Sequence, residues 1–296
     1  IEIGNLIRHG TTPPLEQLLR DIARDQLLIA NANSEVGVGG DVGRSVCCLT
    51  PTDDGLFLDK QALAVSYGEH ADFIVSTARR TPESEETDQA TMVLRRADLT
   101  LEPTTEWNTL GLRGTCSRSF HIQGKVDPEL IFPVPFSEIA SQGGIQGRQI
   151  LTSAVWVGLA EAGAAKAHAY VRAAARKVVG SEPPSALRLA EISVELQQAR
   201  DTLAATALRF ELSQGTEEMV SAGFVTALRS LKVGASEMAN RVLTASLGIC
   251  GMAGYASESP MSLGRLIRDA HGGAIMVNND RYLHDNAKLL LARKNL

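Results

Sequence analysis

The chain is short of cysteine. Its four cysteines, at positions 47, 48, 116 and 250, follow no metal-binding or redox spacing, so reduced thiols in a cytosolic protein are the expectation. Cys47 and Cys48 are neighbours in a β-type run and should point to opposite faces, which argues against a vicinal redox pair. Basic charge is not in excess: 29 Lys and Arg stand against 34 Asp and Glu, for a net charge of −5. That balance lacks the sequence-wide electrostatic footprint of a nucleic-acid partner. No apolar run approaches the roughly 20 residues needed to span a bilayer. The opening residues lack the charged, apolar and small-residue order of a secretory signal. A cytoplasmic protein with no membrane span is therefore expected. What is present is an ordinary globular composition, 44% hydrophobic and 21% charged. With 296 residues there is enough chain for two domains, at roughly 100–200 residues each.

Three textures follow one another, at residues 1–25, 26–142 and 143–296. The first has a short irregular opening and then a helix. Thr11 and Thr12 offer its cap, Pro13 and Pro14 suit its first turn, and Leu15, Leu18, Leu19 and Ile22 recur at helical spacing. The second has short β-type runs at 27–33, 45–50, 56–59, 62–66, 73–77, 91–94 and 119–124, divided by Gly, Pro and Asp turns. That pattern predicts a small antiparallel β-barrel or a sandwich. The third is alanine-rich and helical, with long helices over 149–176, 185–213 and 216–247 and a shorter pair around 262–271 and 280–293. In the second long helix Leu187, Leu189, Ile192, Leu196, Leu203 and Leu208 should share one side. Long helices with short connections predict a four-helix-type bundle, making the fold class α+β and multidomain.

Five stretches carry candidate chemistry. Residues 247–269 place Gly251 and Gly254 in a connection between helical segments, with Tyr255 and then Arg265, Arg268 and Asp269 beyond. Glycines let backbone N–H groups approach a pyrophosphate, and equally they end helices. Residues 34–41 run Ser-Glu-Val-Gly-Val-Gly-Gly-Asp, residues 64–72 run AVSYGEHAD, residues 107–115 run WNTLGLRGT, and Arg176 stands four positions before Gly180. Read alone, these are a glycine-rich turn, a strand with a polar end, a β-domain turn and a helix-terminal arginine.

Together, in this order, they resemble the acyl-CoA dehydrogenase superfamily, with most of its N-terminal helical domain missing. The resemblance implies a middle β-barrel domain followed by a C-terminal bundle. It also implies a flavin held by Ser34 at the pyrimidine edge, Ser66 near the ring N5, Gly251 and Gly254 at the pyrophosphate, and Arg176 across a subunit boundary. Arg176 and the two glycines serve the dinucleotide half, which favours FAD. Three positions depart from the pattern. Met252 stands for the second glycine, Gly40 for a serine, and Ala64 for the aromatic that shields one ring face. The resemblance further implies a homotetramer, or dimer of dimers. For Arg113 the resemblance implies a structural role first and a substrate-edge role second.

The usual base of this family is a Glu seven positions after an Arg-Asp-Ala alanine; here that position is Val277. The alternative place, beside Arg148, offers no carboxylate either, and Asp280 and His271 are the remaining candidates. The resemblance leaves three readings. One is an acyl-CoA or acyl-carrier dehydrogenase acting on a CH–CH bond, with an electron-transfer flavoprotein as its partner. The second is a flavin-dependent monooxygenase served by a flavin reductase, which needs no α-proton base. The third is a non-catalytic subunit of a heteromeric dehydrogenase.

Overall fold

The computed structural model describes residues 1–177 and 182–292. The chain separates into two compact units. One comprises Ile1–Thr109 and Arg113–Gly144; the other comprises Leu110–Leu112 and the chain from Ile145 onward.

The first unit opens with α1 (Glu2–His9), where the sequence suggested an irregular stretch. One buried leucine, Leu6, anchors this helix, and Gly10 ends it by donating its N–H to the Leu6 carbonyl. So short a helix carries too few apolar positions to show a period. Helix α2 (Pro13–Asp25) starts from an extended Thr12 and buries Leu15, Leu18 and Ile22. Seven strands follow: β1 (Ile29–Ala32), β2 (Leu49–Thr52), β3 (Gly55–Ala62), β4 (Phe73–Arg79), β5 (Gln89–Arg95), β6 (Leu99–Pro103) and β7 (Phe120–Val126). They are not closed into a barrel. A three-stranded sheet runs in the order β1-β4-β5 and a four-stranded sheet in the order β2-β3-β7-β6. All pairs are antiparallel except β1 with β4, which is parallel.

The expected strand at 62–66 turns out to be only the end of β3 at Ala62, followed by bends, because Ser34 and Arg118 take its backbone bonds instead. Strand β6 was not expected; only its first residue, Leu99, is buried, so no alternation marks it. Ala30, Ala32, Leu58, Ile74, Met92, Phe120 and Ile122 form one core. Leu6, Leu15, Leu18 and Ile22 join Phe73, Val75 and Val93 in another. Strands β4 and β5 are thus buried on both faces, with Ser76, Thr77, Gln89 and Thr91 buried among their apolar residues. A short helix, α3 (Phe136–Ile139), ends the unit.

The second unit contains α4 (Ile145–Ala175), α5 (Ala186–Leu212), α6 (Ala222–Cys250), α7 (Met252–Tyr255), α8 (Gly264–Ile275) and α9 (Asn279–Ala292). Trp156, Val157, Ala160, Ala167, Met238, Ala239, Val242, Leu243 and Leu263 build its core. Ala160, Ala167 and Ala239 are fully buried, so the small side chains set close helix approach. Helix α5 departs from the expected single apolar side. Ile192 and Leu196 are buried, whereas Leu187 and Leu208 are exposed. Among the described residues no helix is long and apolar enough to cross a membrane.

Candidate functional site

In the first unit, Ser34 lies just beyond β1 and is held against the turn after β3. Its Oγ accepts the Ala64 N–H at 3.1 Å and donates to the Ala64 carbonyl at 3.2 Å. With that proton committed, Ser34 offers a ligand only a lone pair. Two residues past Ala64, the exposed Ser66 hydroxyl lies 2.7 Å from Ser117 Oγ, which lies 2.7 Å from Thr115 Oγ1. Backbone bonds lace these two turns together: Tyr67 N–H to the Thr115 carbonyl, and Val65 N–H to the Arg118 carbonyl, each 2.9 Å. Tyr67 and Cys116, adjacent to the hydroxyls, have φ of 58° and 46°. Left-handed backbone at a non-glycine residue costs roughly 1–2 kcal/mol, and such strain gathers where geometry is over-determined.

Glu35, next to Ser34, begins a buried polar cluster. Its carboxylate accepts from Ser45 Oγ at 2.7 Å and from the Cys47 N–H at 2.6 Å, and lies 3.8 Å from Lys60 Nζ. Lys60 is fully buried and donates to the Thr77 carbonyl at 2.6 Å. Burial pushes its pKa down, opposed by the nearby Cys47 and Glu35. Burial likewise pushes the Cys47 thiol up to about 11. The cluster joins both ends of the glycine-bearing loop at residues 36–44, where Gly37, Gly39 and Gly40 all have positive φ. Sequence reasoning passed over Lys60; its signal was its place between Leu58 and Ala62 on the inward side of a period-2 strand.

The second unit holds Gly251, Gly254 and Arg176. Gly251 ends α6 at φ 54°, donates its N–H to the Leu247 carbonyl at 2.8 Å and begins α7. Nothing lies within 4 Å of where its Cβ would stand, so conformation rather than crowding calls for glycine. Gly254 is buried, and a Cβ there would come within 2.8 Å of Cys250 Cβ. Its N–H reaches the Gly251 carbonyl at 3.0 Å, so the two glycines form one turn. Met252 and Tyr255 between and beside them are exposed. Arg176 is exposed, just past the end of α4. Residues 178–180 of its motif lie outside the described residues.

The tryptophan-led motif has a structural role that spacing alone did not show. A Cβ on Gly111 would fall on the carbonyl of Arg268 in α8, and the Leu112 N–H donates to Asp269 Oδ1 at 2.7 Å. Leu112 holds φ 55° there. Arg113 donates locally, from Nε to the Thr109 carbonyl at 2.6 Å.

Val277 also has left-handed backbone, with φ 56°, and is exposed. Its carbonyl accepts from Lys232 Nζ, which also donates to Asn279 Oδ1 at 2.6 Å. Lys232 is buried on α6, lies 5.7 Å from the Tyr282 ring, and is pushed down to about 8 by burial, with Glu237 opposing. Tyr282 accepts from Gln149 Nε2 at 2.8 Å, and burial pushes its hydroxyl pKa up. Asp280 is exposed and donates its N–H to Asn278 Oδ1 at 2.8 Å; His271 is exposed on α8. Position 277 thus presents a backbone carbonyl tied to an amine. Sequence reasoning missed Lys232, although a lysine within the Leu228, Leu231, Ala235 stripe was the signal.

Ser66 carries a hydroxyl and Arg176 a guanidinium, each suited to a polar or anionic ligand, while the Gly251 N–H is already committed to the Leu247 carbonyl. A groove of about 420 Å³ between α4 and α5, bordered by Glu161, His168 and Arg200, contains none of these residues.

Comparison with known proteins bears on the fold. Residues 139–277 match the family model of the acyl-CoA dehydrogenase C-terminal domain. Among solved structures, butyryl-CoA dehydrogenase from Megasphaera elsdenii is similar over 98% of this chain and 74% of its own, with TM-score 0.80 and 22% identity. FMN-bound TdsC from Paenibacillus sp. A11-2 is similar over 100% and 78%, with TM-score 0.82 and 18% identity. A chain from the electron-transferring flavoprotein work on Acidaminococcus fermentans is similar over 98% and 75%, with TM-score 0.80 and 20% identity. Among curated proteins, no sequence matches the chain.

Proposed function

We propose that this chain is a member of the acyl-CoA dehydrogenase superfamily and a flavin-dependent oxidoreductase that removes hydrogen across a CH–CH bond of an acyl thioester. The observation that carries this reading is the turn at Gly251, whose backbone favours glycine while open space stands where a side chain would project. Such a turn lets peptide N–H groups meet a pyrophosphate. Gly254 would shape the turn by packing, Arg176 would meet the dinucleotide phosphates, and Ser66 would face the ring. Ser34 would accept a hydrogen bond at the pyrimidine edge. FAD is the proposed coenzyme, supplying hydride acceptance when bound; a homotetramer is the proposed assembly, and an electron-transfer flavoprotein the proposed electron acceptor.

A second reading is favoured by one specific observation. Position 277 carries valine, and its carbonyl is engaged by Lys232, so the usual place for an α-proton base holds no carboxylate. Flavin-dependent oxygenation, with reduced flavin from a partner reductase, requires no such base. A non-catalytic subunit is the third.

One experiment separates the first two. The full chain is loaded with FAD or FMN and mixed anaerobically with short, long and branched saturated acyl thioesters. Bleaching of the flavin band with formation of the enoyl product is expected. Absence of bleaching throughout, with oxygen incorporated into an organic acceptor when reduced flavin is supplied, would replace the first reading by the second. Failure to retain either flavin would overturn both.

A further inference from the structure

Two reactive side chains in the first unit meet at one backbone oxygen and take no part in the flavin reading. Lys60 Nζ donates to the Thr77 carbonyl at 2.6 Å, and Cys47 Sγ lies 3.9 Å from the same oxygen. Ser45 Oγ lies 3.4 Å from the sulfur, and Glu35 accepts from both the Ser45 hydroxyl and the Cys47 N–H. The neighbouring thiol of Cys48 lies 3.8 Å from Thr50 Oγ1 instead. Access to the two groups is unequal: Lys60 is fully buried, whereas Cys47 is only partly so. A small oxidant can therefore reach the sulfur, while bulk water does not surround the amine. Burial weakens the hold of Lys60 on its proton, which frees the nitrogen lone pair for attack. The flexible four-carbon stem of lysine lets Nζ swing across the shared carbonyl toward the sulfur.

We propose that Cys47 and Lys60 form a reversible modification site, in which peroxide oxidises the thiol and the lysine amine then captures the sulfur in a covalent S–N bond. In the first step the sulfur takes one oxygen from hydrogen peroxide, giving a sulfenic acid and one water. The sulfur loses two electrons, and the cleaved O–O bond accepts them. In the second step the neutral amine displaces that oxygen. The S–O bond breaks, the S–N bond forms, and the departing hydroxyl leaves as a second water with one amine proton. Where the amine begins as an ammonium, its extra proton passes to Glu35, 3.8 Å away. The product then leaves no unpaired charge in the buried cluster, where one would be costly. Sulfenic acids condense with nitrogen in this way, whereas further oxidation drives them to sulfinic and sulfonic acids that are not readily recovered. Capture by Lys60 thus keeps Cys47 recoverable. Burial raises the Cys47 thiol, and the thiolate is the reactive form, so the first step is the slow one.

The test incubates the full chain with hydrogen peroxide, blocks remaining thiols by alkylation, and maps tryptic peptides by mass spectrometry without reductant. Trypsin cuts after Arg44, Lys60 and Arg79, so the untreated chain yields peptides 45–60 and 61–79. After peroxide, a single peptide 45–79 is expected, lighter by two hydrogens, because a bonded Lys60 is no longer cut. Dithiothreitol is expected to restore the two original peptides. Cys48→Ser should keep the product and Cys47→Ser should abolish it. Lys60→Arg, which keeps the charge but offers no neutral amine, is expected to lose the bond and leave Cys47 gaining oxygen. Where that variant proves unfolded by circular dichroism, the wild-type map and Cys48→Ser decide. A peptide 45–60 lighter by two hydrogens, with Lys60 still cut, would be a Cys47–Cys48 disulfide and overturns the site. Oxygen retained at Cys47 in the wild type, or an unmodified Cys47, overturns it equally. No flavin or thioester is added, so every one of these outcomes leaves the flavin reading as it stands.

Discussion

Lys232 is the residue at which burial and chemistry conflict most plainly. Its amine is taken out of water to hold the Val277 carbonyl and Asn279 Oδ1, and burial lowers its pKa from an ordinary 10.5 to about 8. The folded chain therefore binds this proton more weakly than the unfolded chain. Between those two values the unfolded state carries more protons, so stability rises as pH rises through the window. Cys47 acts in the opposite sense, because its thiol is raised from 9.0 to about 11 and favours the folded state less as pH passes 9. The clean interval is thus pH 8 to 9, where urea titrations should show a gain on the order of 1 kcal/mol. Lys232→Met should flatten that rise; an unchanged slope in the variant would assign it elsewhere, with Lys60 the next residue to examine. In both buried lysines the period-2 or helical pattern already placed an ionisable group inward. Neither pattern names the partner, because Glu35 and Asn279 come from other elements.

At the scale of elements, the connection from Gly111 to Leu112 shows how two separate motifs form one contact. Gly111 leaves room for the Arg268 carbonyl, and Asp269 caps the Leu112 N–H. A backbone carbonyl cannot swing away as a flexible side chain can. Gly111→Ala is therefore expected to cost about 3 kcal/mol or more, read as a lowered urea midpoint. A loss below about 1 kcal/mol would show that the contact relaxes freely. The individual elements were readable in different degrees. Helix α2 announced itself through proline, cap and spacing, whereas α1 was too short and β6 too exposed to leave a pattern. The six β-type runs at 27–33, 45–50, 56–59, 73–77, 91–94 and 119–124 each overlap a strand, but the way seven strands divide into two sheets depends on pairings between distant residues.

For the molecule as a whole, the candidate flavin residues are divided between the two units: Ser34 and Ser66 in one, and Arg176, Gly251 and Gly254 in the other. In the proposed function, Arg176 would supply the charge for the phosphate half. Arg176→Ala is expected to lower FAD retention about tenfold or more, the scale of a charge-assisted hydrogen bond, and to leave FMN retention nearly unchanged. Equal retention of FAD by both forms, measured by flavin content after gel filtration, would remove the arginine from the coenzyme. Equal losses of FAD and FMN would place it away from the adenylate side.

Composition, periodicity and punctuation determined the succession of a helix, a β region and a helical region, since those signals are local and repeat within each stretch. Only the resemblance to the acyl-CoA dehydrogenase superfamily singled out particular glycines and hydroxyls among them. Tertiary structure decided what each of them does. It paired Ser66 with Ser117, gave Gly254 a packing task and Gly251 an open turn, and set Lys232 against the carbonyl of Val277. Those outcomes depend on which distant atoms compete for the same buried hydrogen bonds, and that competition exists only once the chain is folded.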